Sequence, residues 1–522
     1  MQPDILLIVL DTLRADRLSC YGYPRETSPN LDAFAEDAVL FERAISPAQW
    51  TIPAHASLFT GNFPSTHMTN QIYDKHTQEQ PTLAELLRGA GYTTLGFCNN
   101  PLLGVVDNGL DRGFDAFYNY SGFFPERPDI SDTRARPSGR LVHRLGRLLN
   151  RINAPVQEAL TQNDLILKLA LHPRIIPLWQ RHINFRGNTK LSLRDMTGYL
   201  RTRQKRGRER PLFAFLNLME THLPFGPPPR FIHRFAPYYR TNREARDFMR
   251  AYNQEHYRWM IPMTEPLTEL QDRIINDMYA AEVAYEDHAL RRLYTYLDDP
   301  RVRDNTVVII VSDHGEGMNH HNFVGHSLVA YDDLLHVPLL VRYPPHYGGG
   351  QRIPQPISTR RTFHTALEMA GVPLPEPLAE ATDYLPTGPL PRTPDEAPGR
   401  ETPVFAEAYT PDTLLALMEN YTPQAIDTFR CRSMRRAVYQ QAHKLITVGE
   451  QPDELFAMPE DPGELHNLIA EKPDLAGQLF AILRDFVAEA KAQRPSDWEG
   501  ERVDIESDEK LTERLRGLGY MQ

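Results

Sequence analysis

With 522 residues, 41% of them hydrophobic and 24% charged, the chain has the makeup of a soluble globular protein and not of a disordered, collagenous or membrane-spanning one. Its formal net charge of -11 argues against general nucleic-acid binding. The three cysteines, Cys20, Cys98 and Cys431, are widely separated and odd in number, which excludes a readable disulfide framework or thiolate metal cluster.

The first predicted element is a buried strand, because residues 5–10 (ILLIVL) form a continuous aliphatic run that stops abruptly at Asp11. That run is too short for a signal-peptide core with its cleavage site and far too short to span a bilayer, so a cytoplasmic protein without a transmembrane segment is expected. LDAFAEDA and LAELLRGAG then carry helical spacing. Residues 140–152 (RLVHRLGRLLNRI) place Arg140, Arg144, Arg147 and Arg151 at helical spacing beside Leu141, Leu145, Leu148 and Ile152. This basic amphipathic helix has two readings, a solvated helix over the mouth of a site or a contact with anionic lipid or substrate.

Further buried strands are expected at PLFAFLNL (211–218), VVIIV (307–311) and VPLLVRY (337–343), with the helical EVAYEDHALRRLYTYL between the first two. Strands alternating with helices predict a mixed, mostly parallel α/β sheet covered on both faces. Ligands bind such sheets at the carboxyl ends of the strands, where Asp11, Asp313 and His314 fall. Proline clusters across 376–403 predict a linker, so the expected organisation is a catalytic domain over 1–375, with a cap or insert at about 120–270, and a smaller α+β subdomain over 404–522. In that subdomain RRAVYQQAHKLITV alternates like a hairpin, and LAGQLFAILRDFVAEA has helical spacing.

Transfer of a phosphoryl or sulfuryl group needs a divalent cation, a nucleophile held against it and a polar group for the leaving oxygen. LDTLRADRLSCYG supplies Asp11, QWTIPAHASLFTG supplies Thr51 and His55, and VSDHGEGMNHHNFVGH supplies Asp313, His314 and His326. DTLRAD, YG, TSPNLDAFA and the TIPAHASLFTG block together resemble the N-terminal signature of the sulfatase family of the alkaline phosphatase superfamily. THLPF, YAAEVAYED, SDHGEG, AGVPLPE, KLITV, ELFAMPEDPGELHNL and LRGLGY are similar to later elements of the same family, so the resemblance covers nearly the whole chain, least at 120–210.

The resemblance implies an alkaline phosphatase-like fold and one divalent ion held by Asp11, Thr51, Asp313 and His314. Where related sequences have a second acid after the first Asp, this one has Thr12, which speaks against a second ion. A mixed carboxylate and imidazole set suits zinc or manganese, with calcium or magnesium as the alternatives. The family's sulfatases carry Cys or Ser, oxidised to formylglycine, where this chain has Thr51, and Arg where it has His55. Oxidised threonine is a ketone, so the hydrated aldehyde nucleophile is unavailable. In related phosphoethanolamine and phosphoglycerol transferases and nucleotide pyrophosphatases, a threonine hydroxyl is itself the nucleophile, and Thr51 matches that role.

The same resemblance assigns His222 and His326 to the substrate side, where they bind ester oxygens or protonate the leaving group, and His55 to a position behind Thr51. His320 and His321 rank below His326. A plain N-cap role competes for Thr51, an ion-pair role for Arg14, and Lys444 is a candidate to reach the site from the C-terminal subdomain. The expected reaction is hydrolysis or transfer of an anionic phosphate mono- or diester through Thr51. A sulfuric ester hydrolase without formylglycine and a metal-binding pseudoenzyme are the alternatives.

Overall fold

In the computed structural model the described residues are 2–121, 127–128, 186–262, 266–375, 378, 384–387, 403–440, 442–496, 502–505 and 512. The arginine-rich helix over 140–152 and most of the Pro-rich 376–403 stretch lie outside them.

A nine-stranded sheet organises residues 4–358. Its strands are β1 (Asp4–Leu10), β2 (Val39–Ile45), β3 (Thr93–Cys98), β4 (Ala116–Asn119), β5 (Leu212–Leu218) and β6 (Thr306–Val311). A two-stranded hairpin, β7 (Gly317–Met318) with β8 (Val324–Gly325), precedes β9 (His336–Val337), β10 (Leu339–Arg342) and β11 (Gln351–Ser358). The order across the large sheet is β11-β2-β10-β6-β1-β5-β3-β4, with β9 on β2. Pairs β1–β5, β1–β6, β3–β5, β3–β4 and β2–β11 are parallel, whereas β10 runs antiparallel to β2 and β6. The mixed, mostly parallel sheet predicted from the sequence is therefore present.

The aliphatic runs are continuous because both faces of the central strands are covered. Ile5, Leu7 and Val9 of β1 join Phe213, Phe215 and Val311 against the helices Thr51–Thr60, Leu83–Gly89 and Arg361–Ala370. Leu6, Ile8 and Leu10 face the other way, with Leu216 and Ile310, against the helices Pro29–Ala35, Thr189–Arg206 and Glu269–Leu297. The expected single strand 337–343 is two short ones, since Pro338 has no N–H to continue a ladder and divides β9 from β10.

The C-terminal region forms a four-stranded antiparallel sheet of β12 (Val404–Ala408), β13 (Arg435–Gln440), β14 (His443–Val448) and β15 (Gln451–Ala457), with the helix Pro473–Ala492 packed on it. β13 and β14 are the hairpin that the alternation in 435–448 predicts. Lys444 on β14, a candidate to reach the site, is instead held by two other carboxylates. Its ammonium is fully buried between Asp332, at 2.8 Å, and Glu464, at 2.6 Å, and so ties this sheet to the loop before β9. Among the described residues no helix is long and apolar enough to cross a membrane.

Removing one partner of a buried pair strands the other charge. Lys444→Met is expected to destabilise the protein by about 3–5 kcal/mol, read as a lower denaturation midpoint. Lys444→Met/Glu464→Gln should recover part of that loss, and a double variant no more stable than the single one would contradict the pairing.

Candidate active site

The register of the three central strands sets the site. Val9 pairs with Asn217 on one side and with Val311 on the other, so β1, β5 and β6 end together and their following residues share one edge. Asp11 and Asp313 emerge there, both completely buried. Thr12 adopts a left-handed φ of 62°, costly for a β-branched residue, which costs roughly 1–3 kcal/mol. That turn directs the Thr12 N–H onto Asp313 Oδ1 at 3.2 Å and is held by the Tyr279 hydroxyl donating to the Thr12 carbonyl at 2.7 Å. After Asp313, only glycine fits at 315, because a Cβ there would lie 2.1 Å from the Asp333 carbonyl oxygen.

Each carboxylate has one satisfied and one bare oxygen. Asp11 Oδ2 accepts from Asn100 at 2.9 Å and Asn217 at 3.3 Å, and Asp313 Oδ1 accepts from the N–H groups of Thr12 and His314. Asp11 Oδ1 and Asp313 Oδ2 have no hydrogen-bond partner. They are the oxygens nearest His314 Nε2, at 3.9 and 3.4 Å. Burial, joined by repulsion between the pair, pushes Asp11 up to about 8, and burial likewise pushes Asp313 up to about 8. His314 donates Nδ1–H to the Gly315 carbonyl at 2.9 Å, and burial together with His326 lowers its pKa to about 4. A neutral imidazole with Nδ1 committed leaves Nε2 as the ligand atom.

Asp11, Asp313 and His314 are thus the one group among the described residues whose ligand atoms all lie within 4.8 Å of one another in a way that could hold a metal ion. Bare buried oxygens facing a neutral imidazole fit a divalent cation, since burying them without partner or counter-charge is costly. Thr51, the fourth residue expected in that set, has its hydroxyl 3.4 Å from His314 Nε2. It is the first residue of the helix Thr51–Thr60, whose cap position is Trp50, so Thr51 is not the N-cap. The positive end of the helix therefore points at the cluster.

His55, one turn along the same helix, donates Nδ1–H to the Thr51 carbonyl at 3.0 Å, with Asp313 Oδ2 at 3.3 Å. Burial lowers its pKa to about 3, and its ring packs edge-on against Phe59 and Phe215, so it is a neutral strut behind Thr51. His222 and His326 face each other with ring centroids 4.8 Å apart, and the His326 ring lies 4.6 Å from that of His314. His222 Nδ1 donates to the Leu223 carbonyl at 2.6 Å, and His326 Nδ1 meets Glu316 Oε1 at 3.0 Å while its Nε2 has no partner. His320 instead pairs with Asp333 and His321 stacks on Tyr331, both away from the cluster.

Sequence reasoning passed over Asn100, Asn217 and Glu316. Glu316 sits inside SDHGEG, so its place two residues after His314 was an available signal; Asn100 and Asn217 carried none. Arg14 behaves as the ion-pair partner expected, bonding Asp16 at 2.8 Å and Asp333 at 2.7 Å, and its guanidinium also donates to the Glu316 carbonyl at 3.0 Å.

A family model described as Sulfatase matches residues 3–372. The chain is 24% identical over 496 residues to the uncharacterised sulfatase YidJ of Escherichia coli, covering 93% of this chain and 87% of that protein. It is 24% identical over 499 residues to an ulvan-active sulfatase of Formosa agariphila, covering 94% and 81%. Among solved structures, a phosphonate monoester hydrolase of Agrobacterium radiobacter superposes with a TM-score of 0.62 at 20% identity, over 94% of this chain and 96% of that one.

Binding of a cation must displace the protons that burial places on the two carboxyls. At pH 7, below their value of about 8, zinc or manganese binding should release about one to two protons per ion. The release should diminish as pH rises past that value, because the carboxyls are then already ionised. Calorimetry in buffers of different ionisation enthalpy measures it. Asp313→Ala and His314→Ala should each lose stoichiometric metal by elemental analysis while keeping the far-ultraviolet circular dichroism of the parent.

Proposed function

The chain belongs to the sulfatase family of the alkaline phosphatase superfamily, and on that premise we propose that this ester hydrolase cleaves phosphate esters through a covalent intermediate on Thr51. The observation that carries the proposal is a threonine hydroxyl at the start of a buried helix, 3.4 Å from His314 Nε2, the same nitrogen that the two bare carboxylate oxygens approach at 3.9 and 3.4 Å. That is where a nucleophile belongs, and threonine cannot supply the aldehyde hydrate on which the family's formylglycine sulfatases depend.

Asp11, Asp313 and His314 would hold a divalent ion, zinc or manganese by the mixture of oxygen and nitrogen donors, which supplies charge neutralisation and acidifies a hydroxyl beside it. Thr51 Oγ1 attacks phosphorus in line with the ester oxygen, its proton passing to solvent or to a neighbouring base, and the P–O bond to the alcohol breaks. The departing oxygen takes a proton from His222 or His326, the paired imidazoles beside the cluster. His222 has Nδ1 committed to the Leu223 carbonyl, so proton exchange falls to its Nε2. Water then attacks the phosphothreonine, phosphate leaves, and the Thr51 oxygen regains a proton. Amides at the helix start stabilise charge on the non-bridging oxygens throughout.

Sulfate esters are the second reading, favoured by the sulfatases among the relatives. A sulfothreonine has no geminal hydroxyl through which to expel sulfate and must await direct attack at sulfur, which ranks it below phosphate. Quenching the enzyme during turnover of an aryl phosphate monoester should leave one phosphoryl group on the peptide containing TIPAH by mass spectrometry, and an aryl phosphodiester should leave that group still carrying its second ester, both absent in Thr51→Ala. That variant should lose roughly 10³-fold or more in kcat. Faster turnover of an aryl sulfate than of every aryl phosphate mono- or diester, by the unmodified wild-type protein, would reverse the ranking.

A further inference from the structure

His222 sits on a segment without regular secondary structure, between the end of β5 and the helix Pro229–Phe235. Its position is therefore set by whatever holds the surrounding backbone. One guanidinium does most of this: Arg186 Nη1 donates to the Glu220 carbonyl at 2.6 Å and lies 3.2 Å from the His222 carbonyl. The same nitrogen meets Glu282 Oε1 at 2.8 Å, and that oxygen accepts the Gly226 N–H at 2.6 Å. Arg186 and Glu282 thus grip the loop on both sides of the imidazole. The Arg186 side chain is 11% exposed and that of Glu282 fully buried, so water does not replace these bonds readily.

Two neighbours tie the same clamp to the carboxylate side. Thr221 donates its hydroxyl to the Asp11 carbonyl at 2.6 Å. Gly187, left-handed at φ 72°, packs so closely that a Cβ would lie 2.6 Å from Asn99 Cβ, one residue before the Asn100 that bonds Asp11.

We propose that Arg186 is a positioning residue for His222, holding the imidazole in register with His326 by clamping the carbonyls of the loop that carries it. This rests on the reading of His222 as the group that exchanges a proton with the leaving oxygen.

The test uses the full-length protein, with Arg186→Met, Arg186→Lys and His222→Ala. With ¹⁵N-labelled histidine, the side-chain resonances of His222, assigned by their loss in His222→Ala, should report a proton fixed on Nδ1 in the wild type. In Arg186→Met that proton should exchange faster and the two ring nitrogens move toward averaged shifts, while the other histidines keep theirs. Arg186→Lys should fall between. In kinetics, Arg186→Met should lower kcat about 10²-fold for an alkyl phosphoester and far less for the 4-nitrophenyl ester, whose alcohol leaves without a proton. Arg186→Met/His222→Ala should lose no more than His222→Ala.

An unchanged His222 resonance in Arg186→Met, or a loss equal for both leaving groups alongside the expected leaving-group dependence in His222→Ala, overturns the proposal. If His222→Ala itself affects both esters equally, the role given to His222 fails instead, and the resonance still decides whether Arg186 positions it. A Tm drop with all imidazole signals unchanged marks Arg186 as merely structural and also overturns the proposal.

Discussion

Two carboxylates buried side by side, Asp11 and Asp313, are the constraint around which the molecule is arranged. Among the described residues neither is paired with an arginine or lysine, and each keeps one oxygen without a hydrogen bond. Burial, joined at Asp11 by repulsion from Asp313, raises both to about 8. Such a pair is tolerable only where the surroundings fix its remaining oxygens and where a cation can take up the bare ones. Two asparagines, two backbone amides and a left-handed threonine do the first. A neutral imidazole aimed at the gap prepares the second.

That requirement explains why the central strands are so uniformly aliphatic. Residues 5–10 and 307–311 carry no polar side chains, so the first polar side chains after them mark the edge of the sheet. Parallel pairing brings those edges together from positions about three hundred residues apart in sequence, and the register is enforced by the two apolar faces that each strand must bury. A slip of one residue would turn Asp11 away from Asp313 and bury the wrong face of β1.

Thr51, the proposed nucleophile, and the histidines His222 and His326 come from elements attached less directly to that frame. Thr51 is placed by a helix whose far end is locked by Gly61, left-handed at φ 71° and set against Phe363 with no room for a Cβ. His222 and His326 are placed by loops, one clamped by Arg186 and Glu282, the other held through Glu316, whose own carbonyl is bonded by Arg14. The chemistry available therefore depends on which side chain stands at 51, while its geometry depends on ion pairs outside the cluster.

The sequence by itself determined the parts that depend on local pattern: the buried strands, the acids that terminate them, the TIPAH helix start and the β13–β14 hairpin. It also determined that position 51 cannot carry formylglycine, since a threonine stands there whatever the fold does. What it left open were contacts across chain separations set only by strand order. Asn100 and Asn217 have no special neighbours in sequence, yet strand register delivers both to Asp11. Lys444 stands in the sequence as a candidate to reach the site from the C-terminal subdomain, and only tertiary packing decided that its partners are Asp332 and Glu464. The strand break at Pro338 and the clamp at Arg186 belong to the same class. Periodicity reports which face of an element is buried, and carries no information about which distant polar group will meet it there.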